Sequence, residues 1–176
     1  MDNELLGRAA AIRFLVMDVD GVLTDGCLYL AASGDELKAF NILDGQGLRM
    51  IRSQGVRTAF ITGRSSPLTQ ARATDLDIDH LLQGRQDKAS ALLELGERTG
   101  ITLTETAYVG DDLPDLAAVE IAGLGISVPN GCYSVRAASD WCTQSPGGAG
   151  AVREICEGLL EARGVLASVI AEYRSS

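Results

Sequence analysis

The chain has a single histidine, His80, among 176 residues, and this excludes a histidine-rich metal site. His80 is expected in or beside the strand-like run HLLQ. The four cysteines, Cys27, Cys132, Cys142 and Cys156, show no CxxC spacing, so they read as reduced thiols of a cytoplasmic protein. Basic residues are too few to build a nucleic-acid-binding face. Lys and Arg total 15 against 24 Asp and Glu, for a net charge of −9. An anionic substrate must therefore be held by locally placed cations or by a metal ion. Long apolar runs are missing as well. The first one is interrupted at Arg13 and runs into Asp18, too short for a signal peptide or a membrane span. No repeat, low-complexity tract or linker divides the chain.

Hydrophobic residues make up 46 % of the sequence, in keeping with one domain over residues 1–176 and a full-sized core. Short apolar runs at 13–17, 56–61, 80–82, 107–109 and 124–128 read as buried strands. Helical patterns lie between them at roughly 46–54, 66–75, 87–99 and 113–122. Strands alternating with helices predict an α/β fold, a Rossmann-like parallel sheet with helices on both faces. Two segments break the alternation. Residues 27–40 read as a β-hairpin flap, with arms CLYLA and ELKAF around Ser33-Gly34-Asp35. Val152, Ile155, Cys156, Leu159 and Leu160 have helical spacing, and a short helical tail follows over about 164–176.

Ligands of open parallel sheets bind at the carboxyl ends of the strands. Asp18-Val19-Asp20-Gly21 closes the first strand, Thr62-Gly63-Arg64 the second, and Gly110-Asp111-Asp112 the one ending at Val109, with Asp115 a turn later. Each group alone has a plain structural reading: a DxDG turn, a helix cap at Thr62 or Ser65, a solvated Lys88. Together, Asp18, Asp20, Asp111 and Asp112 would crowd one another, which is costly unless something neutralises them. Carboxylate oxygens without His or Cys select Mg²⁺. Such a set can run phosphoryl transfer. One carboxylate attacks phosphorus, Thr62, nearby amides and Lys88 hold the phosphate oxygens, and a second carboxylate moves protons.

Asp18-Val19-Asp20-Gly21-Val22, Thr62, Lys88 and Gly110-Asp111-Asp112 resemble, in order and spacing, the four motifs of the haloacid dehalogenase superfamily. The resemblance implies Asp18 as nucleophile and Asp20 as acid/base. It implies Mg²⁺ on Asp18, the Asp20 backbone carbonyl and Asp111, with Asp112 and Asp115 in support. The longer strings DVDGVLTDG, FNILDGQGLR, ITGRSS, YVGDDLPDL and SPGGAGAVRE resemble the phosphatases of KDO 8-phosphate, the phosphate ester of an eight-carbon sugar acid. That implies substrate contacts from Asn41, Asp44, Gly45, Arg49, Gly63, Arg64 and Arg72. Leu43 and Gln46 depart from the family pattern, which has a basic residue and a Tyr there. Arg64, directly after Thr62-Gly63, is the foremost candidate for pairing with a second anionic group such as a carboxylate.

There is no room for a large cap domain between the motifs, and an open site would be screened by water. A neighbouring subunit is therefore expected to complete the site through Leu28, Leu30 and Leu37 of the hairpin, and the resemblance implies a homotetramer. The alternative is a hairpin that folds over its own site. Three other readings remain: a phosphatase for a nine-carbon sugar acid 9-phosphate, a receiver-type signalling module, and an idle member of the fold.

Overall fold

A computed structural model describes residues 3–175 of the chain. The expected domain limits at 1 and 176, and the end of the tail at Ser176, lie outside the described residues. The strands are β1 (Phe14–Met17), β2 (Tyr29–Leu30), β3 (Glu36–Leu37), β4 (Arg57–Ile61), β5 (His80–Leu82), β6 (Thr106–Gly110), β7 (Leu124–Ser127) and β8 (Trp141–Cys142). The helices are α1 (Asn3–Ala11), α2 (Ile42–Ser53), α3 (Pro67–Asp75), α4 (Lys88–Thr99), α5 (Leu116–Ile121), α6 (Tyr133–Ala138), α7 (Ala151–Ala162) and α8 (Leu166–Ser175). Six strands form one parallel sheet in the order β5-β4-β1-β6-β7-β8.

Side-chain alternation along the strands splits the core in two. Leu15 and Met17 of β1 join Phe60, Val109 and Ile126 beneath α2 and α7. Phe14 and Val16 point the other way, toward Ala91, Leu92 and Leu95 of α4 and Val119 of α5. The expected layered α/β fold is therefore present, with β1 between β4 and β6. The chain leaves β1 toward one side for β4 and β5 and later returns to the other for β6 to β8. The reversal opens a crevice at the carboxyl end of β1, where such sheets take ligands.

Several boundaries differ from the sequence expectation. α2 starts at Ile42 rather than near 46, because the Asn41 side chain caps it, accepting a bond from the Leu43 N–H at 2.8 Å. The cap of α3 is Ser66, not Thr62 or Ser65, and Pro67 follows it. The segment 113–122 is a 3₁₀ turn over Leu113–Asp115, containing Pro114, and then a short α5. The hairpin arms pair only over Tyr29–Leu30 and Glu36–Leu37. α1, α6 and β8 were not anticipated. α1 is docked by Arg8, whose guanidinium grips both oxygens of Asp140 and the Gly123 carbonyl.

Candidate active site

β1 delivers Asp18 to the crevice, its amide fixed to the Val109 carbonyl at 2.9 Å. Lys88, the first residue of α4, turns its side chain inward and is almost fully buried. Its ammonium sits 2.8 Å from Asp18 Oδ1 and 2.7 Å from Asp115 Oδ1. Asp115 is itself fully buried. Its Oδ1 also accepts from the Tyr108 hydroxyl at 2.7 Å, and its Oδ2 from the amides of Asp111 and Asp112, both at 3.2 Å. Both of its oxygens are thus occupied, so Asp115 braces Lys88 and the loop after β6.

Oxygens of Asp18, Asp111 and Asp115 lie within 4.8 Å of one another. Burial, followed by the charge of Asp115, pushes Asp18 up to about 8 and Asp111 up to about 6. Lys88 is raised even though burial opposes its charge, because the Asp18 and Asp115 carboxylates outweigh it. Asp111 Oδ1 is buried with no hydrogen-bond partner among the described residues. An orphaned hard oxygen beside a carboxyl group whose ionisation burial opposes fits a divalent cation, whose charge would offset that cost. The expected crowding therefore occurs, but with different members. Asp115 is in the cluster, whereas Asp112 is exposed and caps the 3₁₀ turn.

Gly21 makes room for this arrangement. Its φ of +101° is in the left-handed region, and a Cβ there would fall 2.1 Å from Asp111 Oδ2. Gly21→Ala is expected to lower stability by about 1–3 kcal/mol and to weaken cation binding by displacing Asp111. Denaturant titration and isothermal calorimetry with Mg²⁺ measure the two effects. Asn130 supports the same turn from behind, with its Nδ2 donating to the Gly21 carbonyl at 2.9 Å and its Oδ1 accepting from the Gly147 amide at 2.7 Å.

Asp20 lies one turn further out. Its Oδ2 is 3.5 Å from the Thr62 hydroxyl, and its Oδ1 is held by the ammonium of Lys38. Lys38, Tyr108 and Asn130 were not singled out from sequence. Thr62 is buried after β4. Its amide is committed to the Leu82 carbonyl, and its hydroxyl accepts from the Arg64 amide at 3.3 Å. Among these amides Gly63 remains to serve an anion, fewer than expected around Thr62. The Arg64 guanidinium donates to both oxygens of Glu36 on the hairpin, each at 3.1 Å.

The other expected substrate contacts are less uniform. Asn41 caps α2 and reaches the Gly148 carbonyl at 3.4 Å. Asp44 is buried, and its Oδ1 accepts from the Arg153 amide at 2.8 Å in the first turn of α7. Burial raises its pKa, although the α7 amides and Arg72 oppose the shift. Gly45 leaves space for Arg72, whose Nη2 would be 2.4 Å from a Cβ at that position. Arg72 donates to the Asn41 carbonyl and to Asp75, with its guanidinium 5.7 Å from the Phe40 ring centre. Arg49 is exposed and its contacts are with Asp75. Asp44 and Arg49 therefore make contacts with α7 and α3, not with the Asp18 cluster.

Residues 80–155 match the family described as haloacid dehalogenase-like hydrolase. The 3-deoxy-D-manno-octulosonate 8-phosphate phosphatase of Escherichia coli K12 is 42 % identical over 163 residues, 93 % of this chain and 87 % of that protein. The crystal structure of the Moraxella catarrhalis enzyme of that name, in complex with a magnesium ion, a phosphate ion and a KDO molecule, superposes with a TM-score of 0.96. It is 48 % identical and covers 98 % of this chain and 99 % of its own. The cobalt-bound Haemophilus influenzae enzyme superposes with a TM-score of 0.89 at 35 % identity, covering 93 % of this chain and 99 % of its own.

Proposed function

Because the chain belongs to the 3-deoxy-D-manno-octulosonate 8-phosphate phosphatase family of haloacid dehalogenase-like hydrolases, we propose that it hydrolyses the phosphate monoester of KDO 8-phosphate, with Asp18 as nucleophile. The observation that carries this is the placement of Asp18. It is held by Lys88 at 2.8 Å and grouped with Asp111, whose Oδ1 has no hydrogen-bond partner among the described residues.

Asp18 Oδ attacks phosphorus, and the bond from phosphorus to the sugar oxygen breaks. Asp20 gives its proton to the departing alkoxide. The resulting aspartyl-phosphate is then attacked by water, whose proton passes to Asp20. The Asp18–phosphorus bond breaks, releasing inorganic phosphate and restoring the carboxylate. Thr62, Gly63 and Lys88 hold the phosphate oxygens, while Asp115 and Asp112 keep Lys88 and Asp111 in place. Asp18, Asp111 and the Asp20 backbone carbonyl would hold Mg²⁺, which when bound offsets the repulsion between carboxylate and phosphate and stabilises the transferring group. Arg64 pairs with the sugar-acid carboxylate after leaving Glu36. Asn41, Asp44, Gly45, Arg49 and Arg72 shape the substrate loop, by contact or from behind.

The same reading takes the chain as one cytoplasmic phosphatase domain serving the biosynthesis of lipopolysaccharide sugar. Among the described residues no helix is long and apolar enough to cross a membrane. It also takes the active form as a homotetramer. Leu28, Leu30 and Leu37 on the hairpin are 55, 70 and 64 % exposed, an apolar surface suited to a neighbouring copy. A fully active monomer in analytical ultracentrifugation would remove the shared site.

A substrate panel tests the function. With Mg²⁺ present, KDO 8-phosphate should show the highest kcat/KM, above a nine-carbon sugar acid 9-phosphate and above a sugar phosphate lacking a carboxylate. Arg64→Ala should erase most of the preference for carboxylated substrates. Equal turnover of the uncharged sugar phosphate by the unmodified protein would reject the sugar-acid assignment.

A further inference from the structure

The hairpin presents most of its side chains to solvent, but one arm carries an exception. Leu28, Tyr29, Leu30 and Leu37 are all exposed, whereas the side chain of Lys38 is only 4 % exposed. A lysine gives up hydration only where its charge is met. The ammonium of Lys38 is met by Asp20 Oδ1, with Glu36 Oε1 3.8 Å away. Glu36 in turn receives Arg64. Two residues of the second arm, Glu36 and Lys38, thus fasten the hairpin to the two sides of the crevice, and the more buried of them, Lys38, ends on the group placed to move protons.

We propose that Lys38 is a positioning residue for Asp20, by which the docked hairpin fixes the carboxyl group that protonates the leaving alkoxide. This rests on the phosphatase reading above. Asp20 follows Val19 in an irregular turn and is a quarter exposed on its side chain. Among the described residues, its other side-chain hydrogen bond is the 3.5 Å approach to Thr62. A carboxyl group so loosely placed samples several rotamers, and misplacement by about 1 Å can cost about 10²-fold in rate. Lys38 anchors Oδ1 and leaves Oδ2 to hand a proton to the sugar oxygen and then to take one from water. No bond changes at Lys38 itself. The lid and the proton donor thereby become one mechanical unit, and a hairpin lifted from the crevice releases Asp20.

The test uses leaving groups that differ in their need for a proton. A sugar-acid primary alkoxide must be protonated as it departs, whereas p-nitrophenolate leaves without help. For Lys38→Met, kcat/KM on the alkyl phosphate should fall by about 10²-fold, and by at least about tenfold less on p-nitrophenyl phosphate. Both esters are measured on the same preparation, so partial misfolding lowers both alike and cannot mimic the difference. In an Asp20→Asn background, Lys38→Met should cost no more than about twofold further on the alkyl ester, because the group it positions is already lost. Equal losses on the two esters, full multiplication of the two substitutions, or an effect confined to KM would each overturn the assignment. Should the unmodified protein hydrolyse neither ester, the phosphatase reading itself falls.

Discussion

Asp18→Asn should lower kcat by at least about 10⁴-fold while leaving the fold intact, because the substitution removes the nucleophile and little else. Asparagine has nearly the shape of aspartate, and its carbonyl oxygen can still accept from Lys88 at the 2.8 Å seen for Asp18 Oδ1. Its amide cannot form the bond to phosphorus that aspartate forms. Stability should move the other way, if at all. Burial drives the Asp18 carboxyl up to about 8, so at neutral pH the metal-free fold holds a group that resists ionising there. An uncharged amide removes that conflict. Phosphate release, acid-quench trapping of the phosphoenzyme and thermal melting separate the effects. The expected result is no turnover, no trapped phosphoryl group and an unchanged or higher melting temperature. Turnover within tenfold of the unmodified protein would take Asp18 out of its assigned role.

Three of the parts of the site readable in sequence share one property: each lies next to a strand. Asp18, Thr62 and Asp111 follow apolar runs with little else in between, so placing the strand places the side chain. Lys88 was readable by its position in the motif order, though its inward turn depends on Asp18 and Asp115, 70 and 27 residues away in sequence. Asp115 was placed in support, yet nothing local shows that Tyr108, an ordinary strand aromatic by composition, reserves its hydroxyl for it. Lys38 follows the two-residue β3, Asn130 lies in the loop after β7, and neither belongs to a motif. Their roles come from contacts with Asp20 and Gly21 that form only once the hairpin and the loop after β7 have closed on β1.

The fold shows the same division. The four central strands, β4, β1, β6 and β7, are largely buried and apolar, so their composition marks them. β8 is two residues long, Trp141–Cys142, and exists because it can pair with Ile126 and Ser127. α2 contains Gly45 and Gly47, poor helix formers that blur its start. Asp44 and Arg49 were expected to contact substrate, and the motif string does not show the contacts they make within the chain, Arg49 with Asp75 and Asp44 with α7. In the folded chain Asp44 is inside, against the first turn of α7, and that string also joins two helices.

Chelating the divalent cation is the second change expected to have a large effect, and its dependence on pH has a definite sign. Asp111 Oδ1 has no hydrogen-bond partner among the described residues, and Asp18 is pushed up to about 8 and Asp111 to about 6, against an ordinary 3.8. Raised carboxyl groups favour the folded state at low pH. Their contribution is complete below about pH 4 and is lost as pH climbs through 6 and then 8, because over that span the folded metal-free protein binds more protons than the unfolded chain. A bound cation needs both groups ionised, so it binds tighter as pH rises, by roughly tenfold per unit between 6 and 8 as Asp18 gives up its proton. Melting temperature in EDTA should therefore fall from pH 5.5 to 8, and the gain on adding Mg²⁺ should widen over the same interval. Calorimetry at pH 7 in buffers of different ionisation enthalpy should show about one proton released per cation. Activity in EDTA should drop on the order of 10³-fold or more, since several kcal/mol of charge stabilisation leave with the metal. A stabilisation by Mg²⁺ equal at both pH values would mean the cation is not held by these carboxylates, and turnover persisting in EDTA would mean the chemistry does not use it.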